Sequence, residues 1–179
     1  AHAEETPKRN SGRLSGVQLW VALPDAHRDR AASFQHVAAV PTLVLPGGLA
    51  QVFTGELGGI SSPAERFSDL TGADVEVRPG EALTLPLRAE FEHGFFLLDG
   101  DGAFEGQDIE ARTLYYLPPG RSEGEFQSRE GARVLLLGGT PFGEKILMWW
   151  NFVARTTAEI QAARRDWGEY RRFGKIPGY

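Results

Sequence analysis

Short apolar runs, each followed by turn-forming residues, succeed one another along most of the 179-residue chain. Proline, glycine or aspartate-glycine pairs close most of them, and these residues interrupt strands and supply turn geometry. Runs of this length, repeated about every ten residues, are typical of a β-sandwich or β-barrel. The predicted strands lie at residues 17–23, 42–45, 50–57, 74–77, 82–87, 91–98, 113–117 and 133–137.

Other segments carry different signals. The Asp99-Gly100-Asp101-Gly102 sequence predicts a hairpin turn, with Phe104 in the returning strand. Residues 156–172 place apolar side chains at helical spacing, which predicts an amphipathic helix capped by one of the two threonines at its start. Residues 25–35 are charged and fit either a short helix or a loop.

Composition limits the classes of function. The formal net charge is −5, which argues against a protein that binds nucleic acid directly through phosphate contacts. The absence of cysteine excludes disulfides and thiolate metal sites and fits a cytoplasmic protein. No apolar run reaches the roughly 18 residues of a membrane span, and the polar first ten residues are unlike a signal peptide. We therefore expect a cytoplasmic protein with no membrane anchor of its own.

Several segments, in order and at suitable spacing, resemble those of one family. Residues 16–24 (GVQLWVALP) are similar to the strand that closes the first barrel of pirin-like proteins. Residues 60–64 (ISSPA), 135–144 (LLLGGTPFGE) and 148–155 (MWWNFVAR) resemble that family's second barrel and its exit. The WGEYRRFG sequence at 167–174 is similar to its C-terminal helix. The chain is thus identified as the C-terminal portion of a pirin-like protein of the cupin superfamily.

This resemblance implies an all-β bicupin, a tandem of double-stranded β-helix (jelly-roll) barrels, followed by an α-helix. Residues 1–45 would hold the last strands of the first, metal-binding barrel and the connection. Residues 46–153 would form a nearly complete second barrel, and residues 154–179 the C-terminal helix and tail. Trp149 and Trp150 would pack the exit strand against a barrel wall, or else form an aromatic shelf for a substrate.

The resemblance also implies a metal site. In pirins an H-x-H pair and a later H-x-E pair bind one ion in the first barrel, and His2-Ala3-Glu4 matches the later pair. Alternate residues of a strand face the same side, so His2 and Glu4 could both point into a barrel. Mixed imidazole and carboxylate ligands suit non-haem iron. We expect iron, with nickel, manganese, copper, zinc or cobalt as alternatives. The H-x-H pair does not occur in this chain, so the site is expected to be half built.

The second barrel departs from the cupin metal pattern. Where the first motif expects two histidines, this chain has only His93, and where the second expects a histidine, it has Glu123. His93 with Glu90 or Glu92 and with Glu123 could in principle form a site of one histidine and two acids. The expectation favoured by the resemblance is a barrel centre packed with apolar side chains. His27 and His36 lie outside any motif and are expected to be surface or hydrogen-bonded residues, not ligands.

Three functions are compatible with the sequence. By resemblance, the parent protein is a metal-dependent dioxygenase of the quercetinase type that acts on a flavonol-like substrate, with Glu4 as the base that takes the substrate's hydroxyl proton. The alternative is a regulatory module, without enzymatic activity, that binds a protein partner. A third reading is a C-terminal barrel that is stable but inactive.

Overall fold

The computed structural model describes residue 9, residues 11–13 and residues 15–174. The chain divides into two compact units: residues 24–142 form one, and residues up to 23 together with those from 143 onward form the other. None of the helices in the described ranges is both long and apolar enough to cross a lipid bilayer.

The unit of residues 24–142 is built from two antiparallel β-sheets. In chain order its strands are β1 (Thr42–Leu45), β2 (Gly48–Leu57), β3 (Ile60–Ser61), β4 (Leu70–Val77), β5 (Ala82–Pro86), β6 (Glu92–Gly100), β7 (Ala103–Phe104), β8 (Gln107–Asp108), β9 (Leu114–Leu117), β10 (Glu123–Gln127) and β11 (Ala132–Gly139). The larger sheet has the order β1-β2-β4-β11-β6-β9, with β3 beside β2, and the smaller has β5-β10-β7-β8. The non-sequential order is that of a jelly roll, and the predicted all-β class is confirmed.

The core lies between the two sheets, because both contribute inward-facing side chains to one apolar cluster. Period-two alternation places every second residue of each strand on this side. Phe95 from the larger sheet meets two phenylalanines of the smaller one, with ring centroids 4.7 Å from Phe104 and 5.0 Å from Phe126. The centre of the barrel is therefore filled with apolar side chains.

The predicted hairpin at residues 99–102 is wrong. β6 pairs with β11 and β9 in the larger sheet, whereas β7 pairs with β10 and β8 in the smaller one, so the chain changes sheets at this turn. The Asp101 carboxylate accepts hydrogen bonds from the Ser128 hydroxyl and the Glu130 backbone N–H, both at 2.9 Å. Gly100 has φ +85°, and a Cβ there would lie 2.0 Å from the Gly131 carbonyl oxygen. These tertiary contacts carry the chain into the smaller sheet, so that it does not form a hairpin with β6.

The first predicted strand is also absent. Within the described part of the chain, residues 17–23 belong to no strand, because an extended segment becomes a strand only where a partner strand satisfies its backbone groups. Residues 25–35, for which the sequence allowed a short helix or a loop, form a turn followed by a loop. β1 is paired in register with β2, from Thr42 opposite Gln51 to Leu45 opposite Gly48. The proposed segment boundaries at 45/46 and 153/154 stay predictions.

The other unit contains a hairpin and a helix. β12 (Leu147–Trp149) pairs with β13 (Phe152–Ala154), and α1 spans Thr157–Gly168. Thr156 caps the helix: its hydroxyl accepts from the Glu159 N–H, and the Glu159 carboxylate accepts from the Thr156 N–H, which is a capping box. The buried helix residues Ile160 and Ala163 pack with the hairpin, and the predicted helix is confirmed.

Candidate polar site in the second barrel

The candidate site is a polar row at one end of an otherwise apolar sheet. In the register of the larger sheet, Gly138 of β11 lies opposite Thr71 of β4 on one side and His93 of β6 on the other. The next inward row joins Leu136 to Ala73 and Phe95, and is entirely apolar. Thr71 and His93 thus occupy inward positions that elsewhere in these strands hold hydrophobic residues.

Gly138 makes room for the imidazole. A Cβ at this glycine would lie 2.5 Å from His93 Cδ2 and 3.0 Å from Thr71 Cγ2. The His93 and Thr71 side chains therefore pack over the glycine from the two neighbouring strands. Any larger residue at position 138 would displace them. The absence of a side chain at Gly138 therefore allows these two polar side chains to share one end of the barrel.

Both side chains are buried without a hydrogen-bond partner. His93 is 2% exposed and Thr71 is 4% exposed. Within the described ranges, no protein atom bonds His93 Nδ1, His93 Nε2 or Thr71 Oγ1. Buried polar atoms are nearly always paired in folded proteins, so an unpaired set at one place is a candidate for function.

A cavity of about 240 Å³ is lined in part by His93 and Thr71, whose three unpaired polar atoms have almost no accessible surface. Its wall carries Leu57, Pro86, Leu87 and Phe91, together with two glycines of the β2–β3 turn. The same wall includes the polar residues Thr71, His93, Glu56 and Arg88. The cavity is therefore a mainly apolar recess with a polar end.

Burial sets the protonation of His93. The pKa of the imidazole is lowered because burial penalises its charged form, and the nearby Glu90 carboxylate opposes this in part. The neutral ring presents one N–H donor and one acceptor nitrogen. Phe91 packs beside it, with ring centroids 6.0 Å apart. The site offers hydrogen bonds and no cationic imidazole.

The charged residues of the cavity wall, Arg88 and Glu56, each have a hydrogen-bonding partner. Arg88 Nε donates to Glu90 Oε1 at 2.7 Å, and the guanidinium carbon lies 4.2 Å from the centre of the Phe91 ring. The Glu56 carboxylate accepts from the Ser61 hydroxyl at 3.1 Å. The guanidinium and the carboxylate beside the cavity are therefore both already bonded to other side chains.

The acids considered with His93 do not converge on it. Glu90 is exposed and bonded to Arg88, Glu92 accepts from the Tyr116 hydroxyl at 3.0 Å, and Glu123 is exposed on β10. The described residues contain no group of three or more histidines and acids that could hold a metal ion. An unpaired imidazole suits a metal, but the described residues bring no set of three ligands together here, so this site does not fit a metal centre.

The remaining predicted residues have different fates. The proposed metal ligands His2 and Glu4 lie outside the described residues. His27 and His36 are both exposed, as expected. Trp149 and Trp150 belong to an aromatic cluster of their own unit, in which the Trp150 ring lies 5.3 Å from that of Trp167.

Thr71 is the site residue that the sequence analysis missed. It lies just before a strand predicted to begin at residue 74, whereas β4 begins at Leu70. No local motif marks it, because its position beside His93 depends on the pairing of three strands. The one usable signal is the pair Gly138-Gly139 directly after the predicted strand at residues 133–137, since glycine within a strand indicates a close approach of neighbouring groups.

Comparisons with known proteins agree with this architecture. The Pirin C-terminal cupin domain matches residues 72–174. A Pseudomonas aeruginosa protein named "Putative quercetin 2,3-dioxygenase" is 38% identical over 98% of this chain and 56% of its own length. The Caulobacter vibrioides "Pirin-like protein" is 31% identical over 93% of this chain and 58% of its own. The chain spans somewhat more than half the length of these curated relatives.

A solved structure gives the same result. The crystal structure of quercetin 2,3-dioxygenase from Acinetobacter baumannii superposes with a TM-score of 0.84 at 38% identity, covering 89% of this chain and 54% of that one. The two-sheet barrel is therefore a cupin. With more than half of its residues matched by the pirin C-terminal domain, the chain belongs to the pirin family.

Proposed function

We propose that this chain is the C-terminal part of a pirin-type bicupin that acts as a metal-dependent dioxygenase on a flavonol-like substrate. The observation that carries the proposal is the likeness, at 38% identity and a TM-score of 0.84, to an Acinetobacter protein titled quercetin 2,3-dioxygenase. The coverage of about half of each relative supports a longer parent.

Exposed apolar side chains in the first segment support the same proposal. Val17 is 50% exposed, Trp20 49% and Val21 58%, although the run has the composition of a buried strand. In the proposed parent, this run is the last strand of the first barrel, and its partner strands would cover these side chains. The resemblance of residues 16–24 to that strand gives the same assignment.

In the proposed parent, His2 and Glu4 supply one half of the metal site and the upstream H-x-H pair supplies the other. The ion, with iron as our first choice, would provide the oxygen chemistry when bound. Glu4 would accept the substrate's hydroxyl proton, a role that requires hydrogen-bond reach of about 2.6–3.2 Å. Our proposal assigns no metal to the second barrel.

The test measures dioxygen consumption with quercetin by the parent protein, in wild-type form and as His2→Ala, Glu4→Gln and His36→Ala. His36→Ala is the matched control because this imidazole is exposed and outside both sites. We expect His2→Ala and Glu4→Gln to abolish turnover and the control to retain it. Absence of turnover by a parent with its full metal complement would refute the dioxygenase proposal and favour a regulatory module.

Metal analysis of the 179-residue chain tests the half-built site separately. Two ligands alone should leave the purified chain with far less than one ion per molecule. Near-stoichiometric iron or nickel that is lost in His2→Ala would contradict the proposal that the upstream pair is required.

A further inference from the structure

We propose that Phe34 is an anchor that docks the connecting segment, residues 24–41, into an apolar pocket on the first barrel of the proposed parent. The inference rests on the bicupin parent of the proposed function and does not involve dioxygenase activity. Every contact from which it is argued lies within the unit formed by residues 24–142.

The connecting segment is attached to the second barrel although it has no strand or helix of its own. Residues 24–41 contain only turn, bend and irregular backbone. The Gln35 side-chain amide donates to the Pro63 carbonyl oxygen at 3.1 Å and accepts from the Glu65 N–H at 2.7 Å. This one side chain therefore fixes the segment to the loop that follows β3.

A second attachment lies on the other side of Phe34. Arg30 Nη1 donates to the Ser33 hydroxyl at 2.7 Å, and the guanidinium carbon lies 4.3 Å from the centre of the Phe67 ring. The two residues that flank Phe34 in the sequence, Ser33 and Gln35, are thus both hydrogen-bonded. The position of the Phe34 backbone is set by these neighbours.

The Phe34 side chain itself projects into solvent. It is 92% exposed, the highest value among the large hydrophobic residues that the structure describes. A lone exposed hydrophobic residue is ordinary, but here attached neighbours on both sides keep the ring out of its own unit's core. An aromatic side chain presented from a fixed backbone is the form that interface anchors take, because little conformational entropy is left to lose on docking.

The occupant follows from the place of Phe34 in the chain. Residues 16–24 resemble the strand that closes the first barrel, and Phe34 comes ten residues after Pro24. Ten extended residues span at most about 36 Å, so the first barrel is tethered within reach of the ring, at a high effective concentration that a second copy lacks. Arg30 Nη2 lies 3.5 Å from Glu65 Oε2, and this pairing of charges favours an apolar pocket over a charged partner.

The direct test places a photoreactive benzophenone amino acid at position 34 of the full-length parent and identifies crosslinked peptides by mass spectrometry. We expect crosslinks within one molecule to residues upstream of Ala1. The same amino acid at position 114 is the matched control, because Leu114 is also an exposed apolar residue of this unit, at 66%, and should not reach the same peptides. Crosslinks to a second copy, or no crosslinks from position 34, would overturn the proposal.

Trypsin cleavage after Arg30 gives a second readout, since cleavage of a transiently opened segment follows the population of its open form. In the parent, Phe34→Ala should raise the cleavage rate at least about tenfold, which corresponds to about 1.4 kcal/mol of lost docking. In the 179-residue chain, where the ring is already exposed, the rate should not change, whereas Gln35→Ala should raise it in both proteins. Leu114→Ala should change neither, and circular dichroism verifies that each variant is folded. Equal rates for the wild-type and Phe34→Ala parents would contradict docking of the ring.

Quercetin turnover, measured on the same parent, separates this proposal from the proposed function. A parent that crosslinks from position 34 but does not turn over quercetin would refute the dioxygenase proposal alone. A parent that turns over quercetin but gives no such crosslinks would refute the anchor alone.

Discussion

Replacing His93 by leucine should stabilise the protein. The wild-type imidazole is 2% exposed and its two nitrogens lack protein partners among the described residues. A buried polar group left unpaired costs about 1–3 kcal/mol, and leucine removes that cost in a barrel whose next inward row is entirely apolar. A mismatch of shape offsets less than about 1.5 kcal/mol of the gain. Taking the middle of the first range, about 2 kcal/mol, we expect the free energy of unfolding to rise by about 0.5–2 kcal/mol at pH 7.5.

The stabilisation should grow as the pH falls. Burial lowers the pKa of His93 in the folded protein from its ordinary value of 6.5, so the unfolded chain takes up the proton first. Wild-type stability then decreases as the pH falls through 6.5, until the folded pKa is reached. Between pH 7.5 and 5.5 this linkage amounts to at most about 1.4 kcal/mol. His93→Leu lacks the titrating group and should not show this loss.

The assay is urea unfolding followed by circular dichroism at pH 7.5 and 5.5, for wild type, His93→Leu and His36→Leu. His36→Leu is the control because its exposed imidazole has no burial to relieve. The stabilised variant should also melt about 2–4 °C higher for each kcal/mol gained. A His93→Leu protein that is less stable than wild type at both pH values would show that the imidazole is bonded, and would refute the reasoning.

Three further predictions concern the two units. Phe95→Ala should lower the free energy of unfolding by about 3–5 kcal/mol, since its ring packs against the smaller sheet. Phe96→Ala, on the opposite face of β6, should cost much less, and equal costs would contradict the described core. The pKa of Asp101 lies well below its usual range because its carboxylate accepts from the Glu130 N–H and the Ser128 hydroxyl. The stability that it contributes is present above about pH 4 and is lost as the pH falls towards the folded pKa. Asp101→Asn should therefore flatten the acid limb of the stability curve, and an unchanged limb would count against these bonds. Thr156→Ala should cost about 1 kcal/mol in unfolding experiments monitored by far-ultraviolet circular dichroism, whereas Thr157→Ala, one residue beyond the cap, should cost less.

Most strands could be predicted from the local sequence. The apolar residues of a strand and the turn residues that close it are both visible within a short window. The same signals could not assign strands to sheets. The Asp-Gly pair at residues 99–100 allows a tight turn, but the contacts of Asp101 with the loop at Ser128 and Glu130 decide that the chain leaves β6 for the other sheet. Those contacts join residues almost thirty positions apart, which no window of sequence displays.

The candidate site was only partly predictable for a related reason. His93 could be found in the sequence because it is the one histidine in the second barrel's motif region. The failure of Glu90, Glu92 and Glu123 to form one site with it could not be predicted, because the position of each acid depends on strand pairing and on surface partners such as Arg88. The same register that separates the acids places Thr71 two strands away, beside the imidazole.

The polar row also shows why this end of the barrel does not assemble a metal site. A divalent ion needs three or more converging ligands, and here the acids nearest the ring point to other partners. Thr71 and His93 are the two polar side chains that face inward here, spaced by a glycine that admits no side chain. Gly138→Ala tests this spacing directly: a Cβ placed 2.5 Å from the imidazole must displace it, so the free energy of unfolding measured in urea should fall by about 1–3 kcal/mol. Gly143→Ala, where an added Cβ meets nothing, is the control, and a Gly138→Ala protein as stable as the wild type would contradict the close packing of His93 against this glycine.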